Sequence, residues 1–295
     1  VIAAITVASF VYNLTTNGRD RPASALYPGP YVQVDETLVA YRQWGTTGTP
    51  IVLVGGFVEP SWVWHEVGPL LGRRHRVYAI DLPPFGYTER NGAYRLANWV
   101  TLLRGFERNL GIVRPIVVGH SLGAAVAVAD ALAHPSDTAG IVLLDGDALA
   151  AGTGAGWLTH LVIDPYYTSI FRIATGADWL VRRALRNAYG PDAPPLDSVT
   201  LKEWERPFRV QGTRTAFKKL LSYGIQGFTL DALKGVHVPR IVIWGANDTV
   251  DSVSAGRHTA AALNAPFLVV PTAGHLSMLS NPSFVAAATE RLAGR

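Results

Sequence analysis

The sequence predicts an open α/β sheet with helices wound on both faces, and three observations carry that prediction. Short apolar runs rich in β-branched residues recur along the chain, helical stretches fill the gaps between them, and the alternation stops once, for about 85 residues. The runs are Ile51–Val54, Val77–Asp81, Pro115–Gly119, Gly140–Asp145, Arg240–Gly245 and Pro266–Pro271. Almost no polar residue interrupts them, as expected of parallel strands buried on both faces. Ahead of them YVQVD and LVAYRQ, split by a turn at Glu36 and Thr37, form a β-hairpin pattern, which brings the expected sheet to eight strands. The helical stretches are WVWHEVGPLL, LANWVTLLRGFERNL, LGAAVAVADALA, SAGRHTAAALN and PSFVAAATERLAG.

From about Ala148 to Lys234 no comparable strand occurs and aromatic residues accumulate: Trp157, Tyr166, Tyr167, Phe171, Trp179, Trp204, Phe208, Phe217, Tyr223 and Phe228. This segment is expected to be a helical insertion after strand six, with a loop at Pro191, Pro194 and Pro195. The organisation is then a core of residues 31–147 and 235–295, an insertion of 148–234, and an N-terminal apolar helix and linker over 1–30. Residues 1–12 carry no charge, and Arg19 and Arg21 follow. The run is shorter than the roughly 20 residues a spanning helix requires. It reads as the remnant of a membrane anchor, with a helix packed on the body or on a second copy as the other reading. The corresponding localisation is membrane-associated or extracytoplasmic, with a cytoplasmic protein as the alternative.

Charged residues make up 16% of the 295 and hydrophobic ones 48%, against roughly 25% charged in an average soluble protein. The net charge of +4 rests on dispersed arginines rather than a basic stripe, so no nucleic-acid partner is expected. Without cysteine there is no disulfide, no thiolate nucleophile and no thiolate-bound metal. The histidines show no paired spacing such as HExxH, so no metal site is expected either.

The stretch GHSLG, residues 119–123, lies between a strand and a helix, the context of a nucleophile elbow. A serine on so sharp a turn needs small neighbours, which Gly119 and Gly123 provide around Ser121. The N–H of Leu122 opens the following helix and can donate to a developing oxyanion. A second donor is expected after the third strand, where VGGF places the Phe57 N–H behind Gly55 and Gly56. A serine hydroxyl also needs a base and a group to orient it. WGANDTV puts Asp248 just past one strand and AGHLSML puts His275 just past the next, both on the sheet edge that carries Ser121. Asp145, after GIVLL, is the alternative acid and Asp147 is less well placed. Asp251 rivals Asp248 for capping the next helix. Glu59 and His65 read as candidates to touch substrate, and His120 as structural by its resemblance to the histidine common in such elbows.

With VGGF, IDLPPFGYTER, GHSLG, WGANDTV and AGHLSML, the chain resembles the α/β-hydrolase-fold superfamily over residues 31–295, as a serine hydrolase with a helical cap. The resemblance implies a mostly parallel eight-stranded sheet, a cap inserted after strand six, and a triad of Ser121, Asp248 and His275. It implies a carboxylesterase-like hydrolase that cleaves an ester or related acyl bond of an apolar substrate without a cofactor. C–C bond hydrolysis, haloperoxidase, lyase or cyclase chemistry on the same triad, or ligand binding without catalysis, stay open as alternatives. The family's commoner DLPGHGxS is replaced here by DLPPFGYTER, with Pro84 and Phe85 in a loop that shapes the pocket. Partners expected are a small apolar substrate and, through the first residues, a membrane or a second copy.

Overall fold

The computed structural model describes residues 2–16, 20–150 and 164–294; Arg19, Trp157 and His160 lie outside the described residues. Eight strands form one sheet: β1 (Tyr31–Val34), β2 (Thr37–Trp44), β3 (Pro50–Val54), β4 (Arg76–Ile80), β5 (Ile116–His120), β6 (Gly140–Leu144), β7 (Arg240–Gly245) and β8 (Phe267–Val270). Their order is β1-β2-β4-β3-β5-β6-β7-β8. The hairpin and the β2–β4 pair are antiparallel, and every other pair is parallel. All eight expected strands are present. Helices of five residues or more are α1 (Ile2–Thr16), α2 (Val67–Leu71), α3 (Leu96–Asn109), α4 (Leu122–Ala133), α5 (Tyr166–Gly176), α6 (Asp178–Tyr189), α7 (Ser198–Glu205), α8 (Thr213–Tyr223), α9 (Val253–Leu263) and α10 (Pro282–Ala293) among the described residues.

Alternation along the central strands divides the core into two layers. Val52, Val54, Val117, Leu143 and Val242 face one way, with Leu103 and Phe106 of α3 and the alanines of α4. Ile51, Leu53, Val118, Leu144 and Ile243 face the other, with Leu71 of α2 and Val285 and Leu292 of α10. The stretch WVWHEVGPLL, expected as one helix, is a 3-10 turn at Ser61–Trp64 followed by the five-residue α2. Tertiary packing overrides the apolar periodicity here: α2 lies so close to β2 that a Cβ at Gly68 would stand 2.4 Å from the Trp44 ring.

Between β6 and β7 the described residues contain helices and no named strand. The insertion is stitched where it leaves and rejoins the core, Phe228 N–H donating to Ala148 O at 2.9 Å and Ala150 N–H to Phe228 O at 3.1 Å. α1 lies against α5 rather than the sheet, through hydrogen bonds considered below.

The chain proceeds from β3 to β4 on one side and then crosses to β5 on the other, so the loops after β3 and β5 diverge. Such a switch point opens a crevice at the carboxyl ends of the strands. Close packing there depends on glycine. A Cβ at Gly119 would meet Gly123 O at 2.1 Å, and one at Gly123 would meet Val54 O at 2.5 Å. Backbone atoms cannot yield as a side-chain tip can, so Gly119→Ala is expected to cost about 1–3 kcal/mol or more. Urea unfolding would measure this, and an unchanged midpoint would show that β5 and α4 can separate freely.

Candidate active site

Ser121 stands between β5 and α4 with φ 49° and ψ −119°, a conformation that side chains rarely adopt. Its backbone is pinned: Ser121 N–H donates to Leu144 O at 3.0 Å and Ser121 O accepts from Ala124 N–H at 2.9 Å. The side chain makes no cap bond to its own helix. Strain at this turn is held in place by the surrounding sheet and points to function. Oγ forms no hydrogen bond among the described residues; catalytic contacts often tighten only when substrate arrives.

The loops after β7 and β8 bring Asp248 and His275 together, Nδ1 of the imidazole 2.8 Å from Asp248 Oδ2. The other carboxylate oxygen accepts from Val250 N–H at 2.8 Å and Asp251 N–H at 3.0 Å. Two backbone donors thus hold the carboxyl group and leave Oδ2 facing His275 Nδ1. Neither aspartate caps α9; Ser252 does so by accepting from Ala255 N–H at 3.1 Å. The alternative acid, Asp145, stands elsewhere. Its oxygens accept from Gly245 N–H at 2.7 Å and from Ser277 N–H and Oγ at 3.2 and 3.0 Å, and no bond to the His275 side chain forms. Burial pushes Asp145 up to about 7, against the opposing pull of His120 and His275.

The β3 loop turns through Val58 at φ 61° and leaves the Phe57 N–H, like that of Leu122, without a hydrogen-bond partner among the described residues. Glu59, a candidate to touch substrate, is instead buried beneath this loop. Its Oε2 accepts from Gly56 N–H at 2.6 Å and meets His120 Nδ1 at 2.8 Å. His65, the other candidate, stacks on Trp62 with ring centroids 4.2 Å apart. His120 is indeed structural: it is wholly buried, and its Nε2 lies 2.6 Å from the carbonyl of His275. A carbonyl can only accept, so Nε2 carries a proton, and the Glu59 carboxylate beside Nδ1 favours the imidazolium. Burial alone would lower its pKa, but the Glu59 carboxylate at Nδ1, with Asp145 Oδ2 3.8 Å from Nε2, drives it up to about 9. His120 and Glu59 therefore tie the loop after β3 to the loop that bears His275.

This pairing has a consequence for stability. A group whose pKa is raised on folding contributes stability that is complete below its unfolded value and disappears as pH rises through the folded one. For His120 that window runs from its ordinary 6.5 to about 9, and Asp145 weakens the fold in the same direction as pH approaches 7. Stability is expected to fall on going from pH 6.5 to above 9, and His120→Gln to flatten the upper limb. Urea midpoints across that range test it; a wild-type profile flat above pH 7 would contradict it.

A cleft of about 540 Å³ opens beside Ser121, lined by Phe57, Leu122, Asp147, Ile225 and Asp251 among others. Phe85, from the DLPPFGYTER loop, packs edge-on against Phe57 at 5.4 Å, and Phe217 of α8 reaches Phe57 at 5.9 Å. Asp147, Ile225 and Asp251 were not expected here. Burial, with Asp147 nearby, raises the pKa of Asp251. No local motif marks them, because they meet only when the ends of the insertion approach the β7 loop. The insertion also grips the loop that bears His275: Gly274 N–H donates to Tyr189 O at 2.9 Å and Leu276 N–H to Ala188 O at 3.2 Å, both at the end of α6.

The chain is 24% identical to the uncharacterized hydrolase YugF of Bacillus subtilis over 258 residues, 85% of this chain and 93% of the relative. Its fold matches a bacterial membrane phospholipase A with a TM-score of 0.73 at 20% identity, covering 98% of this chain and 96% of the other. It also matches the enol-lactonase from Burkholderia xenovorans with a TM-score of 0.75 at 20% identity, covering 90% and 100%. The model of the alpha/beta hydrolase family matches residues 51–288, which span β3 to α10 and hold Ser121, Asp248 and His275, and the chain is a member of that family.

Proposed function

We propose that this hydrolase cleaves a carboxylic ester or related acyl bond of a small to medium apolar substrate through an acyl-enzyme on Ser121. The observation that carries the reading is the 2.8 Å bond between His275 Nδ1 and Asp248, made at the strand ends that flank a strained serine. With Nδ1–H given to Asp248, Nε2 keeps a lone pair for the serine proton. Ser121 Oγ attacks the carbonyl carbon as His275 takes that proton. Negative charge gathers on the carbonyl oxygen, facing the Phe57 and Leu122 N–H groups, with the positive end of α4 behind Leu122. The tetrahedral species collapses, the C–O bond to the leaving alcohol breaks, and His275 protonates the departing oxygen. Water, deprotonated by His275, then releases the acid and restores Ser121.

The insertion acts as a cap, and Phe57, Leu122 and Ile225 supply apolar walls for an acyl chain. Labelling of the full chain by a fluorophosphonate, together with turnover of aryl esters of increasing acyl length, tests the reading. Labelling and ester turnover are expected; a protein that neither labels nor cleaves any ester of the series would overturn it.

A further inference from the structure

α1 is built inside out. Thr6, Ser9, Asn13 and Thr16 recur at helical spacing and face α5. Thr6 hydrogen-bonds Tyr166, Asn13 Nδ2 donates to Pro165 O at 2.9 Å, and Ser169 Oγ meets Asn13 Oδ1 at 3.2 Å. Arg172 donates to Asn13 O at 2.8 Å and to Thr16 Oγ1 at 2.6 Å. The opposite face presents Val7, Phe10, Val11 and Leu14, exposed by 62, 55, 54 and 74%. An amphipathic helix of a water-soluble domain places these faces the other way round. On α5, Ile170 and Ile173 continue the apolar surface, and on α6 Trp179 is 67% exposed. Exposed apolar side chains gathered on three helices that touch in turn mark a surface meant to be covered.

Charge indicates what covers it. Residues 148–234 hold eleven basic and seven acidic side chains, while the rest of the chain holds fifteen of each, so the whole net charge of +4 belongs to the insertion. Trp179, Arg183 and Arg186 recur at i, i+4 and i+7 on α6 and are all exposed. An aromatic and two arginines beside an apolar ridge match the boundary of an anionic bilayer. A twofold interface between copies would instead bring a second set of the same cations into one contact with no added anion.

We propose that α1 and the outer faces of α5 and α6 lie on an anionic lipid bilayer, with the apolar face of α1 turned to the lipid. No helix among the described residues is long and apolar enough to cross. The inner side of the same face leads to the site: Phe171 of α5 packs on Phe217 at 5.6 Å, and Phe217 on Phe57 at 5.9 Å. Lipid-borne apolar molecules therefore meet a run of phenylalanines that ends beside Ser121. This last step rests on the proposed function; docking itself does not.

Flotation of the full chain with vesicles tests the docking. Binding is expected to vesicles of phosphatidylcholine mixed with phosphatidylglycerol, to weaken in high salt, and to be far lower on phosphatidylcholine alone. A Val11→Asp/Leu14→Asp double variant should lose at least about tenfold in partitioning while turning over a water-soluble aryl ester as before. Arg183→Glu/Arg186→Glu, which leaves the apolar face intact, should lose the preference for anionic lipid. Ser121→Ala should float like the wild type, which separates docking from catalysis. Absence of vesicle binding would overturn the proposal. So would a dimer in sedimentation that the α1 variant dissociates while its vesicle binding is unchanged, because a second copy would then be what covers the face.

Discussion

Replacing Ser121 by alanine is expected to lower ester turnover by a factor on the order of 10⁴ to 10⁶ and to abolish fluorophosphonate labelling, with little change in stability. The two effects separate because of how the serine is held. Its backbone N–H and C=O make the bonds that fix the turn, to Leu144 and Ala124, while its side chain makes no cap bond. Alanine keeps both backbone bonds and loses only the hydroxyl. Asp248→Asn gives a companion result. An asparagine oxygen can still accept from Val250 and Asp251, but its amide then faces His275 Nδ1 and favours the tautomer with the proton on Nε2. A loss on the order of 10⁴ is expected, without loss of fold. Turnover and urea midpoints of the two variants measure both quantities. If Ser121→Ala still labels, another nucleophile is at work.

Glu59→Ala is expected to be the most damaging single change away from the reacting atoms. It strips the carboxylate from a fully buried imidazolium and frees the Gly56 N–H in one step. Breaking a buried ion pair from one side typically costs about 3–5 kcal/mol. The deficit relative to wild type should shrink above pH about 9, where the wild type surrenders the same proton and the pair ceases to contribute. Turnover should fall as well, since Gly56 precedes the Phe57 N–H and His120 holds the carbonyl of His275. Urea midpoints at neutral and alkaline pH test the account; a deficit independent of pH would mean that Glu59 acts by packing alone.

Much of this architecture is legible in the residues themselves. Unbroken apolar runs such as GIVLL and RIVIWG can only be buried on both faces, and strand ends followed by GHSLG, AND and AGH announce where polar chemistry gathers. What could not be read locally is pairing across distance. Glu59 and His120 are 61 positions apart, and nothing near either one reveals that two buried polar groups will satisfy each other. Glu59 therefore looked like a residue for the cleft rather than one beneath it. The apolar content of residues 1–12 was plain, but the significance of Thr6, Asn13 and Thr16 appears only once α5, about 160 positions later, is seen to receive them. Ser252 rather than Asp251 caps α9 because the helix starts at Val253, which puts the Ser252 hydroxyl three residues before Ala255 N–H.

The grip of α6 on the His275 loop bears on how such an enzyme can be recombined. Both bonds are made by main-chain atoms, Gly274 to Tyr189 and Leu276 to Ala188, so they do not depend on which side chains α6 carries. They do depend on the backbone path, since a Cβ at Gly274 would stand 2.5 Å from Ala188 O. The insertion can thus diverge freely in sequence while the last turn of α6, near residue 188, stays fixed in space. Chimeras that exchange whole insertions to change substrate range should retain that turn and join on either side of it, or they will exchange the setting of the base along with the pocket.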